Sequence, residues 1–131
     1  MFFELIKNPD VLKISQQEVD QVLGTDRMTA EHLSKLPYIS AIIRETLRLH
    51  PTAPAFTVTP QSENPTDYPM YIGNQRCRVE RGNKFTLYLS QIQRDPAVYG
   101  ADADDFKPER MLDENFRKLP RKARKVSQIL T

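Results

Sequence analysis

The chain has 131 residues, of which 39% are hydrophobic and 27% charged, a soluble-globular balance that leaves no comfortable room for a second domain. No apolar run is long enough to cross a bilayer, and Met1-Phe2-Phe3-Glu4 is no secretory leader. The single cysteine, Cys77, excludes an intrachain disulfide, which makes a reducing, cytoplasmic setting the default.

Net charge is +2, but residues 117–131 hold six basic and no acidic side chains, leaving −4 on the first 116. The opening residues 1–7 are apolar and have no start signal, like the end of a longer helix. Asn8-Pro9-Asp10 then predicts a helix start, with Asn8 as N-cap and Pro9 in the first turn. Leu12, Val19 and Leu23, with Val11, Ile14 and Val22, recur at helical spacing. Gly24 stands where a left-handed cap ends such a helix. A short helix is expected from Thr29 to about Leu36. Pro37 opens the strongest helix, whose apolar stripe is Ile39, Ile42, Ile43, Thr46 and Leu49, and His50-Pro51 ends it.

Beyond Pro51 the period changes to two. Phe56 and Val58 alternate with threonines, and residues 60–70 read as turns. Cys77 and Val79, then Phe85, Leu87 and Leu89, flank Arg81-Gly82-Asn83 and predict a β-hairpin. Residues 95–116 read mostly as loop. The expected fold class is mainly α with a small antiparallel β-sheet.

On the Pro37–His50 helix, Glu45 and Arg48 are three residues apart, so their side chains can meet. Spacing alone puts Glu45 at the border of the stripe and Arg48 on the polar side. Such a solvated pair contributes well under ~1 kcal/mol. The surrounding residues give the pair another reading. Leu36-Pro37-Tyr38 precedes it, and Glu45-Thr46-Leu47-Arg48-Leu49-His50-Pro51 continues into Thr52-Ala53-Pro54. Gln93-Arg94-Asp95-Pro96 and Phe106-Lys107-Pro108-Glu109-Arg110 follow in order. This succession resembles the K-helix E-x-x-R, H-R-D-P and F-x-P-E-R segments of the cytochrome P-450 family. The wording is closest to fungal self-sufficient fatty-acid hydroxylases fused to a reductase.

That resemblance implies a partial cytochrome P-450 fold over residues 1–120 and a basic, non-homologous tail over 121–131. It implies a structural core triad of Glu45, Arg48 and Arg110, with no catalytic residue and no metal ligand in the chain. Ala53, Pro54, Ala55 and Phe56 would line the substrate side of the haem, although Phe56 reads equally well as part of a core strand. Gln93 stands where the family has histidine, which keeps hydrogen bonding possible.

For the parent, the resemblance implies haem iron, oxygen insertion into apolar small-molecule substrates such as fatty acids, and an NADPH-dependent reductase or reductase domain as partner. The oxygen chemistry needs a cysteine thiolate on the iron. The F-x-x-G-x-R-x-C loop that would carry it is not found after Arg110, and the I helix is also missing. Cys77 lies upstream of Arg110 and without the glycines, so it reads as an inert thiol. The expectation is a monooxygenase by family that is inactive as this fragment, its end of the kind a frame shift or a retained intron would leave. The alternative, from another class, is a non-catalytic protein that binds nucleic acid or an acidic partner through the basic tail. His32 and His50 have no companion ligands.

Overall fold

A computed structural model describes residues 1–121, 123 and 124. The chain divides into two compact units, residues 1–52 with 90–131, and residues 53–89. Most helices lie in the first unit, and both small antiparallel sheets in the second.

The first unit begins with α1 (Phe2–Lys7) and α2 (Pro9–Leu23), followed by α3 (Ala30–Leu33) and α4 (Pro37–Leu49). Asn8 does not cap α2. Its side-chain amide instead donates back to Glu4 O at 2.8 Å and satisfies a C-terminal carbonyl of α1. Gly24 closes α2 with φ +55°, a left-handed backbone that costs glycine nothing. At the third helix, the Thr29 N–H donates to His32 Nδ1 at 3.1 Å. That helix ends at Leu33, short of the expected Leu36.

The buried face of α4 consists of Tyr38, Ala41, Ile42, Glu45, Arg48 and Leu49. This stripe has helical spacing, but its axis is rotated from the purely apolar one, and Ile43 is left 42% exposed. Leu5, Tyr38, Ile42, Leu49 and Phe106 form one apolar cluster. Ala41, Tyr99, Ala103 and Met111 form a second, against which Phe116, Leu119 and Ala123 pack. From α2, the Glu18 carboxylate accepts the N–H groups of Tyr38 (2.8 Å) and Ile39 (2.9 Å), so a carboxylate caps the positive end of α4.

Residues 95–116 are not mostly loop. They hold α6 (Pro96–Tyr99), a 3₁₀ turn (Pro108–Met111) and α7 (Asp113–Lys118), after α5 (Leu89–Ile92). Four-residue helices are too short for periodicity to show. Capping was the available signal, because Asp95 Oδ1 accepts the Ala97 N–H at 2.9 Å with Pro96 at the first helical position. Of the basic tail, Arg121 is exposed, while residues 122 and 125–131 lie outside the described residues.

In the second unit, β1 (Ala55–Val58) pairs antiparallel with β4 (Phe85–Tyr88), and β2 (Met70–Ile72) with β3 (Cys77–Val79). The expected hairpin between β3 and β4 therefore does not form. A turn is present between them, with the Asn83 N–H on Glu80 O and the Glu80 N–H on Asn83 Oδ1, but the two strands go to different partners. The hairpin that does form turns at Gly73-Asn74-Gln75, all three with positive φ. Alternation fixes which face a residue takes, and it says nothing about which strand lies beside it.

Candidate functional site: a buried carboxylate between two guanidinium groups

Glu45 and Arg48 project from consecutive turns of α4, and both side chains are fully buried. They meet in a two-pronged pair, with Nε to Oε2 at 2.8 Å and Nη2 to Oε1 at 2.9 Å. The solvated pair that spacing alone suggested is therefore not what forms. Arg48 Nη1 also donates to Gln93 O (2.7 Å) and Ala103 O (2.6 Å), and Nη2 to Asp105 O (3.2 Å). These bonds use all five guanidinium N–H groups. The same guanidinium lies 4.8 Å from the centre of the Tyr99 ring.

The Phe106–Arg110 segment completes the shell of the carboxylate. Glu45 Oε1 accepts the Lys107 backbone N–H (3.0 Å) and Arg110 Nε (3.0 Å), which brings Glu45 to four accepted bonds. Arg110, its side chain 13% exposed, donates through Nη1 to Tyr99 O (2.9 Å) and through Nη2 to Asp102 O (2.8 Å). The structure thus brings Glu45, Arg48 and Arg110 together around one carboxylate.

An outer ion pair closes the same loop. Lys107 Nζ lies 2.6 Å from Asp102 Oδ2, and Arg110 Nη1 lies 3.4 Å from Asp102 Oδ1. The Lys107 hydrogen bond, then the Arg110 charge, holds the Asp102 carboxyl below the usual range, while Asp102 pushes the Lys107 ammonium up. Sequence reasoning missed Asp102; its place eight residues before Arg110 in an irregular stretch gave no periodic signal.

Tyr38, at the start of α4, donates its hydroxyl to Glu109 Oε1 at 2.7 Å. Burial first, then the Glu109 carboxylate, raises this phenol far above its ordinary value.

Gln93 and Arg94 cover the other end of α4. Arg94 Nη2 donates to Leu49 O at 3.0 Å. The Gln93 side-chain amide lies against Leu47 O (3.1 Å) and Arg48 O (2.6 Å), two acceptors that call for its NH₂ group there.

The other expected site residues are placed differently. Ala53 and Pro54 are exposed, Ala55 is half-buried, and Phe56 is 46% exposed on β1, so Phe56 is not a core residue of this chain. Cys77 is a free, exposed thiol on β3, opposite Ile72. The haem iron that the resemblance implies would need a thiolate ligand in a haem pocket. Cys77, exposed on its strand, offers none. Among the described residues, no cluster of three or more His, Cys, Asp or Glu is placed to hold a metal. Among the described residues, no cysteine is placed as a haem-thiolate ligand.

A buried carboxylate between two arginines thus ties an E-x-x-R helix to an F-x-P-E-R loop. The cytochrome P450 family profile matches residues 1–126.

The chain belongs to the cytochrome P450 family.

A bifunctional cytochrome P450/NADPH–P450 reductase of Aspergillus oryzae is 51% identical over 93% of the chain, which spans 11% of that relative. Self-sufficient cytochrome P450 monooxygenases of Oidiodendron maius and Aspergillus terreus are 46% and 48% identical, and the chain again spans 11% of each. A cytochrome P450 crystal structure superposes with a TM-score of 0.72 at 30% identity, covering 86% of this chain and 24% of that one. The fold is thus part of a cytochrome P450 fold, and the chain spans about a tenth of the length of the curated relatives it matches. No described helix is long and apolar enough to cross a membrane.

Proposed function

We propose that this chain is a scaffold segment of a haem-thiolate monooxygenase and has no monooxygenase activity by itself. The observation that carries the reading is the burial and the bonding of the Glu45 carboxylate. It is fully buried and accepts four hydrogen bonds, two from Arg48, one from Arg110 and one from the Lys107 backbone. A group so engaged and sealed from solvent is out of reach of a substrate, and its work is to lock the Phe106–Arg110 loop onto α4. Glu45, Arg48 and Arg110 are on this reading a structural core triad. Ala53, Pro54, Ala55 and Phe56 become one wall of a pocket for an apolar small molecule, a fatty acid in the narrowest form of the reading. The names of the fusion relatives support an NADPH-dependent reductase as electron source and haem as the cofactor of the whole enzyme. The scaffold segment is residues 1–120, with 121–131 as a basic tail, and the setting is cytoplasmic.

A reduced carbon-monoxide difference spectrum with added haemin tests this. The purified chain is expected to give no red-shifted, thiolate-type Soret band. Joined in frame to a segment carrying a haem-ligand cysteine loop, it is expected to give one, and Glu45→Ala to abolish it. A thiolate band from the 131-residue chain alone overturns the reading, because Cys77 would then reach the iron.

A further inference from the structure

Gln93 is 1% exposed, lies outside every helix core, and is used twice by α4. Its backbone carbonyl accepts Arg48 Nη1 at 2.7 Å. Its side chain faces two oxygens in the last turn of the helix, Leu47 O at 3.1 Å and Arg48 O at 2.6 Å. An amide oxygen at that point would oppose two carbonyl oxygens, so the chemistry of the contact places the NH₂ group there. The last four carbonyls of any helix have no partner within it. In α4, Gln93 and Arg94 together take those of Leu47, Arg48 and Leu49.

We propose that Gln93 is a positioning residue that locks the C-terminal end of α4 through both protons of its side-chain amide, fixing where the chain leaves the helix at His50–Thr52. Few side chains can do this. The site asks for two donors on one small, uncharged, planar group. A neutral imidazole has one donor, an ionised carboxylate has none, and asparagine has the amide but is one methylene short. The lock stands on the Gln93 contacts alone. Its consequence for Ala53–Phe56, the next residues along the chain, rests on the pocket reading above.

The decisive readout is a pH profile that a space-filling role would not produce. In Gln93→Glu the carboxylate would face two carbonyl oxygens in a buried site, which raises its folded pKa above the unfolded value of about 4.3. A raised carboxyl contributes stability below the unfolded pKa and loses it as pH rises through the folded one. Taken as variant minus wild type, the thermal midpoint of the 131-residue chain should therefore fall only modestly in Gln93→Glu at pH 4, where the protonated carboxyl keeps one of the two donors. By pH 7 the Gln93→Glu midpoint should fall further, by about 3–6 °C for each roughly fivefold loss of folded population. Gln93→Met, which keeps the shape and loses both donors, should be lowered equally at both pH values. The Gln93 side-chain NH₂ protons of the wild-type chain, read by ¹⁵N-edited NMR exchange, should be protected well beyond those of Gln16 and Gln17, which are exposed on α2.

A pH-independent Gln93→Glu difference would overturn the lock, and unprotected Gln93 protons in the wild type would do so even if neither variant folds well enough for a sharp transition. A protected amide together with a functional pocket insensitive to Gln93→Met would keep the lock and sink the pocket reading instead.

Discussion

The unit built from residues 1–52 and 90–131 and the unit of residues 53–89 solve the same problem with different materials. In the first, polar groups are buried at the centre: Glu45, Arg48 and Gln93 are each 1% exposed or less, and each is matched bond for bond. In the second, two-stranded sheets leave Phe56, Tyr71, Ile72 and Tyr88 between 46% and 55% exposed, and among the described residues only Val79 and Leu89 are well buried apolar side chains. Burying a charge is costly unless its partners are complete, whereas exposing an apolar side chain costs far less per residue. Damage to a single group should therefore be severe in the first unit and mild in the second.

The largest expected effect is Glu45→Ala. Two guanidinium groups would remain in a closed site without their carboxylate, which costs about 3–5 kcal/mol. Urea denaturation of this variant should show the transition shifted to much lower denaturant or absent. A loss under ~1 kcal/mol, the worth of a surface pair, would place the network on the same footing as the exposed sheets.

Tyr38→Phe probes the edge of the same unit and should cost about 1 kcal/mol, the net worth of one hydrogen bond. Its pH dependence is the sharper test. Burial and Glu109 hold the phenol neutral in the fold far above the ordinary value of 10. The hydroxyl's contribution is thus complete below pH 10 and is lost as pH rises from there toward the raised folded value. Stability of the wild type should fall more steeply than that of Tyr38→Phe between pH 10 and 11.5, measured by denaturant midpoints. Parallel slopes would mean that the Glu109 contact is not held in solution.

Smallest of all should be Phe56→Ser in the second unit. With the ring 46% exposed, stability should change by no more than about 0.5 kcal/mol, while the concentration at which the chain begins to associate should rise. A loss comparable with that of Glu45→Ala would show Phe56 to be core, and the contrast between the units would fail.

The helices from Pro9 to Leu49 were legible because proline, glycine and the 3.6-residue period act locally. The buried face of α4 was only half legible. Counting apolar residues rotated it toward Ile43, because two of the four most buried positions on its inner side, Glu45 and Arg48, carry charge. No scale of hydropathy places an ion pair in a core, and here the motif resemblance supplied what periodicity withheld. Strand partners were not legible, since the Arg81-Gly82-Asn83 turn looked like a hairpin tip while the register joins Phe85 to Val58 and Cys77 to Ile72. The contribution of Asp102, and the carbonyls of Gln93, Ala103 and Asp105, could not have been read at all. Backbone oxygens have no letter in a sequence.

Those three carbonyls give the Arg48 guanidinium a second role, as a gauge of chain length. Three of its five donors read main chain, at positions 45, 55 and 57 residues further along, and none of those three reads a side chain. Ala101 and Asp104, which lie between the contact points, are exposed and free of that requirement. The stretch from Gln93 to Asp105 can therefore drift in composition at such positions and still satisfy Arg48. It cannot gain or lose a residue without withdrawing an acceptor from a charge that has nowhere else to turn.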